Sequence, residues 1–274
     1  MPQISFDRRG SGPPIVLVHG LGSRWQVFAP ILDRLAGSNE VIAVDLPGFG
    51  DSPLLAGVRP GPRGYAEWLA GWLADEGITR PHVVGSSMGG GIALELGRAG
   101  VASGVTAFSP VGFYGPAGRR WTQGLLTTLR AVGRVAGPVG DRLLDHPAGR
   151  TVLLSTMFGR PAAVDPAAAR LDLAGLVGAT AFAAARDDFA EYTLSAADDP
   201  GGLDGIPVTI AWGTRDVVLI HRTQSATARR VLPRARHLDL PGCGHLPFSD
   251  DPAACARIVH DDVAAGAATG EDLP

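Results

Sequence analysis

His82-Val83-Val84-Gly85-Ser86-Ser87-Met88-Gly89-Gly90-Gly91-Ile92-Ala93-Leu94-Glu95-Leu96 is the stretch on which the fold turns. An apolar, β-rich run breaks at Gly85-Ser86-Ser87-Met88-Gly89, a G-x-S-x-G pattern, and resumes as a helix whose first residues are small enough to lie close against strands. The two outer glycines permit a sharp strand-to-helix turn that projects the Ser87 hydroxyl above a sheet. Alone the pattern is weak, since a chain with 38 Gly carries about 0.25 copies by chance. Its place between a strand and a helix gives it weight.

Similar apolar runs lie on either side: Pro14–Val18, Val41–Val44, Val105–Phe108 and Val208–Trp212. Runs this short and continuously apolar read as strands buried on both faces, and helical patterns alternate with them, so the expected fold is α/β: a mostly parallel sheet with helices on both faces. In open α/β sheets ligands bind beyond the carboxyl ends of the strands. That rule directs attention to His19-Gly20, Asp45, Gly85-Ser86-Ser87 and Gly213 to Asp216. Tyr65, Trp68, Leu69, Trp72 and Leu73 fall on one helical stripe that reads as core packing. Residues 112–203 interrupt the strand pattern with helical segments at Trp121–Val135, Thr151–Phe158 and Ala167–Tyr192. Strand signals resume at Ile206, and a last helix is expected over Pro252–Ala264. The expected organisation is a core made of 1–111 and 204–265, an inserted helical cap over 112–203, and a flexible tail over 266–274.

Composition narrows the partners. The 274 residues are 45% hydrophobic and 19% charged with a formal net charge of −3, which excludes a disordered chain and offers no basic footprint for nucleic acid. A small-molecule substrate is expected. Cys243 and Cys255 form neither a disulfide framework nor a zinc-spaced cluster, so both are expected to be reduced and structural, with no metal and no cofactor. The first residues reach Asp7-Arg8-Arg9 without an apolar core segment, and no apolar run approaches the roughly 18 residues of a membrane span, so the expectation is a soluble cytoplasmic enzyme. A monomer and a homodimer are both compatible with it.

A serine hydroxyl needs a base to act as a nucleophile at neutral pH, and the base needs a group that fixes its tautomer. Among seven histidines, His245 follows Leu240-Pro241-Gly242-Cys243-Gly244, a turn after the expected strand His237–Leu240. His221, His237 and His260 lack that placement. Asp216 ends Trp212-Gly213-Thr214-Arg215-Asp216, where an acid can orient the histidine or cap the next helix. Ser87, Asp216, His245 is the chain order of one particular class of hydrolase triad.

With His19-Gly20-Leu21-Gly22 after one strand and Asp45-Leu46-Pro47-Gly48-Phe49-Gly50-Asp51-Ser52 after the next, residues 10 to 265 resemble the α/β-hydrolase superfamily. The resemblance implies an oxyanion hole formed by the backbone N–H groups of Leu21 and Met88. It also implies that 112–203 shapes the substrate pocket and that Asp45–Ser52 is structural. Dehalogenases and epoxide hydrolases of this fold carry Asp at the Ser87 position. Carbon–carbon bond hydrolases often show Asn where this chain has Ser86, and a Gly-Pro-Gly run that the loop His19 to Trp25 lacks. These departures favour a serine hydrolase of small to medium carboxylic esters, acting through an acyl-enzyme. A carbon–carbon bond (meta-cleavage product) hydrolase, an acyltransferase and a ligand-binding receptor on the same scaffold are the alternatives. With only Ile4-Ser5-Phe6 ahead of the turn at Gly10-Ser11-Gly12, the leading hairpin is expected to be short.

Trp25, Phe113, Tyr114 and Trp121 lie where they could border a substrate, although large aromatics near strand ends usually pack. The insertion is divided in charge, +5 over 112–160 and −5 over 161–203. Surface pairing between the halves is one reading; steering of an anionic substrate by Arg119 and Arg120 is the other.

Overall fold

The computed structural model describes residues 3–270. In chain order the elements begin with β1 (Phe6–Arg9), β2 (Pro14–Val18), α1 (Ala29–Ala36), β3 (Glu40–Val44), α2 (Gly61–Asp75), β4 (His82–Ser86), α3 (Met88–Arg98) and β5 (Gly104–Phe108). Then come α4 (Pro116–Leu144), α5 (Pro147–Leu154), α6 (Pro166–Gly178) and α7 (Phe182–Asp188). The sheet resumes with β6 (Val208–Gly213), α8 (His221–Val231), β7 (Arg236–Leu240), α9 (Pro247–Asp250) and α10 (Pro252–Gly270).

The strands form one sheet in the order β1-β3-β2-β4-β5-β6-β7. All neighbours run parallel except β1, which pairs antiparallel with β3 from Phe6↔Val44 to Arg9↔Val41. The short leading element is thus one four-residue edge strand. Alternate residues of β2 face opposite layers, as a period of two requires. Val16 and Val18 join Tyr65 and Leu69 of α2 and Ile92 of α3, whereas Ile15 and Leu17 join Ile31 and Leu35 of α1 and Ile258 of α10. Each fully buried aliphatic side chain contributes about 2 kcal/mol through surface removed from water. Register brings the strand ends level: Val18 sits beside Gly85, Ser86 beside Phe108, and Gly213 beside Leu240.

Between β5 and β6 the chain is helical, with two departures from the expected segments. α4 extends well past Val135 and breaks at Gly137 (φ 44°), next to Pro138, which cannot donate a helix hydrogen bond. The single helix expected over Ala167–Tyr192 is two, because the amides of Thr180 and Ala181 both donate to the Gly48 carbonyl instead of continuing the ladder. α10 runs to Gly270, beyond the expected end near Ala264, and takes in 266–270; the rest of the expected tail, 271–274, lies outside the described residues. Among the described residues no single helix is long and apolar enough to cross a membrane.

Candidate active site

Ser87 follows β4 directly and holds φ 56°, ψ −114°, left-handed backbone that residues with a Cβ seldom adopt. Its amide donates to the Phe108 carbonyl of β5 at 2.9 Å, and its carbonyl accepts from Gly91 and Val111. The turn is tight enough to demand glycine on both sides. A Cβ on Gly85 would lie 2.0 Å from the Gly89 carbonyl oxygen, and one on Gly89 would lie 1.9 Å from that of Val18. Gly20 also lies close, since a Cβ there would meet the Ser87 Cβ at 2.9 Å. The loop carrying Leu21 is therefore pressed against Ser87, and Met88 opens α3 immediately after it.

His245 and Asp216 meet across the next two strand ends, both 3% exposed. His245 Nδ1 lies 2.8 Å from Asp216 Oδ2, while Asp216 Oδ1 accepts the amides of Val218 and Leu219 at 2.9 Å each. One oxygen thus orients the histidine and the other closes the turn that leads into α8; the helix itself starts at His221 with no side-chain cap, so the acid does not cap it. A carboxylate at Nδ1 places the ring proton there and leaves Nε2 as the nitrogen able to take a proton.

His19 has a different task. Its Nε2 accepts the Leu46 amide at 3.1 Å and its Nδ1 donates to the Gly20 carbonyl at 2.8 Å, so the buried ring joins the loops after β2 and β3. Burial holds its pKa below the ordinary value, in keeping with a neutral ring. Asp45 supports the same loops through the amides of Trp25 (2.7 Å) and Asp51 (2.9 Å), a structural role. The buried Asp250 was not foreseen. Its carboxylate accepts from Gly244, the residue before His245, and from Gly159 and Arg160, at 2.7–2.8 Å. It clamps the histidine turn to the segment beyond α5, and the Leu246 amide adds a bond to the Met157 carbonyl at 3.0 Å. Ser249-Asp250-Asp251 read locally offers only a helix cap, so no signal in the chain marked it.

Ser87 and His245 open onto a cavity of about 100 Å³. Gly20 to Ser23 and Leu246 complete their side of it. The opposite wall is apolar: Leu126, Leu129, Val132, Gly133, Ala136 and Leu144 of α4, Leu153 and Leu154 of α5, Met157 and Phe158 beyond α5, and Leu173 and Leu176 of α6. Asp172 of α6 is the acid among these lining residues. The α4 contribution recurs at helical spacing, which was the available clue in the sequence.

With a parallel sheet, a strained serine between β4 and α3, and an acid–histidine pair beyond β6 and β7 in place, the comparison with known families is decisive. The model of the alpha/beta hydrolase family matches residues 15–258. This chain is an α/β hydrolase. An uncharacterized protein of Mycobacterium tuberculosis is 29% identical over 281 residues, spanning 93% of this hydrolase and 76% of that protein. A pimeloyl-[acyl-carrier protein] methyl ester esterase of Aeromonas hydrophila is 39% identical over 97 residues, 34% of this chain and 35% of that one. The solved structure of a thermophilic esterase from Thermogutta terrifontis superposes with a TM-score of 0.70 at 22% identity, covering 96% of this hydrolase and 93% of that chain.

The four aromatics singled out as substrate contacts are not among the cavity-lining residues. Trp25 packs against the core beneath α1, and Phe113 lies edge-on to Trp212 with ring centres 6.5 Å apart. Tyr114 donates to the Phe189 carbonyl at 3.3 Å. Trp121, 48% exposed, donates through Nε1 to the Val217 carbonyl at 2.7 Å. Large rings at strand ends were taken up by packing and by their own hydrogen bonds. Arg119 and Arg120 are likewise absent from the lining, and Arg119 donates to the Ala190 carbonyl at 2.7 Å. The charge-divided halves do lie together, but arginine–carbonyl bonds join them, as where Arg130 donates to Val177 and Ala179 at the end of α6. The ion pair found between the halves, Arg170 with Asp145, runs against the expected polarity.

Proposed function

We propose that this hydrolase cleaves small to medium carboxylic esters through an acyl-enzyme on Ser87. The observation that carries the reading is the Asp216–His245 pair opening, together with Ser87, onto an apolar cavity. Ser87 Oγ attacks the ester carbonyl as His245 Nε2 takes its proton, and Asp216 holds the ring and stabilises the imidazolium. The oxygen that becomes negative is received by the Leu21 and Met88 amides, each worth about 3 kcal/mol in the transition state. His245 then protonates the departing alcohol, and a water activated by the same nitrogen releases the acid. Residues 112–203 act as the cap that excludes water and sets substrate length.

The cavity also bears on the carbon–carbon bond alternative. A dienoic meta-cleavage product brings a carboxylate, and no arginine lines this cavity to receive it. The test is a fluorophosphonate probe followed by turnover on graded nitrophenyl esters beside a dienoic product. A Ser87 adduct that disappears in Ser87→Ala, with ester turnover and none of the dienoate, is expected. An adduct that survives the substitution, or turnover of the dienoate alone, would overturn the proposal.

A further inference from the structure

Asp172 stands on α6 in a wall otherwise made of hydrocarbon. Its neighbours on the helix fix where it faces. A Cβ on Gly133 of α4 would lie 2.7 Å from Leu173 Cδ1, and one on Gly22 would lie 2.6 Å from Leu176 Cδ1. α6 is therefore wedged between α4 and the loop that carries Leu21, and Asp172 looks into the space between them. Arg24 is the cation whose charge acts on it, but among the described residues no hydrogen bond joins the two: Arg24 Nη2 donates to Asp51 at 2.5 Å and Nε to Gln26 at 2.7 Å. A carboxyl placed in an apolar cavity without a protein donor is costly, and such a group calls for an explanation.

We propose that Asp172 is a specificity-determining residue, the polar anchor of the substrate cavity, which takes an O–H or N–H donor carried by the acyl or alcohol part of the ester and disfavours substrates that bring a second carboxylate. This rests on the esterase reading above. Burial pushes the Asp172 carboxyl up to about 7, with Arg24 acting against that rise, so near neutrality the group is present both as carboxylate and as acid. The carboxylate pairs with an ammonium or hydroxyl, and the acid still accepts through its carbonyl oxygen. A substrate carboxylate is repelled by the ionised form and can be met only by the acid form, which donates its O–H, so binding it requires holding Asp172 protonated, at a cost that grows as the pH rises. The inference reverses the expectation of steering by Arg119 and Arg120, because the charged group that lines the cavity is an acid.

The test uses nitrophenyl esters of equal chain length ending in methyl, hydroxyl, ammonium or carboxylate, and a matched set varied on the alcohol side. Each is measured as kcat/KM on the wild type, Asp172→Asn and Asp172→Leu. The wild type is expected to favour a hydroxyl or ammonium end over a carboxylate end by about tenfold or more, since a site built around a polar partner rejects the mismatched analogue. Asp172→Asn should narrow that ratio, and Asp172→Leu should abolish it while keeping or raising turnover of the methyl-ended ester. A wild type that turns over carboxylate-ended and ammonium-ended esters equally overturns the inference, whatever the variants do. So does an unchanged ranking in active variants. Failure of every ester together with no fluorophosphonate adduct on Ser87 would instead count against the esterase reading, so the two failures are told apart.

Discussion

β4 has an imidazole, a hydroxyl and a carboxylate gathered at each of its ends. Beyond its last residue stand Ser87, His245 and Asp216. At its first residue stands His82, whose Nε2 lies 2.8 Å from Thr106 Oγ1, which in turn donates to Asp262 Oδ2 at 2.7 Å. The residue types correspond, yet the order of proton donation differs. Asp216 holds the imidazole and leaves its other nitrogen free to act as a base. Asp262 holds the hydroxyl, so the Thr106 proton is already committed and the imidazole donates to the threonine oxygen. The second set is also sealed in the core, with Thr209 and Arg236 bound to the same acid and His82 Nδ1 without a partner. A similar inventory therefore borders a cavity at one end, the site proposed to be reactive, and forms a buried network at the other. Which group the acid touches, and whether a cavity opens there, decides between them.

The largest contrast is expected from removing the two hydroxyls. Ser87→Ala should lower kcat/KM by about 10⁴-fold or more, whereas Thr106→Val should leave it within about twofold and instead cost about 2 kcal/mol of stability through the unpaired donor and acceptor left behind. Steady-state kinetics beside urea unfolding reads both, and a large kinetic loss in Thr106→Val would erase the distinction.

Stability against pH probes the sealed end. Burial lowers the His82 pKa from 6.5 to about 4, so between these values the unfolded chain binds a proton that the folded chain refuses. The contribution is complete above 6.5 and is lost as the pH falls toward 4, about 3 kcal/mol in all. Asp262 acts in the opposite sense: burial raises its pKa, so its ionisation opposes folding as the pH climbs through the carboxylate range. Comparing the wild type with His82→Gln in urea at pH 4.5 and 7.5 isolates the imidazole, and equal losses in both proteins would refute the assignment.

Asp250 sharpens the open end. Asp250→Asn keeps the size but turns an amide donor toward N–H groups, so the His245 turn should shift and kcat should fall by about 10² while KM changes little. A rise in KM alone would mean that the clamp serves the cavity and not the histidine. The smallest effect is expected at Trp121. Trp121→Phe removes one exposed hydrogen bond to Val217, and should cost about 1 kcal/mol or less in thermal unfolding with unchanged kinetics.

Much of this was legible along the chain. Short apolar runs marked five strands and the segment His237–Leu240 a sixth, and G-x-S-x-G, Asp216 and His245 each declared themselves beside a strand end. The cavity wall was less legible. Leu129, Ala136 and Leu173 look like any helical stripe until α4 and α6 are packed together, and Asp172 looks like a surface acid. The break between α6 and α7 answers to a carbonyl at Gly48, more than a hundred residues away. Trp121 and Phe113 were open to either reading in the chain, since a large ring near a strand end can pack or border a substrate, and only the folded structure places them outside the cavity lining.

Sequence by itself determined the layered sheet, the strained turn at Ser87 and the order of the three polar residues, because those features rest on local periodicity and on backbone freedom that only glycine offers. Tertiary structure alone decided that Asp216 meets His245 while Asp262 meets Thr106, that Asp250 clamps the histidine turn, and that an acid, not an arginine, lines the cavity. Hydrogen bonds and burial depend on distances between residues far apart in the chain, and those distances exist only once the sheet and helices have packed.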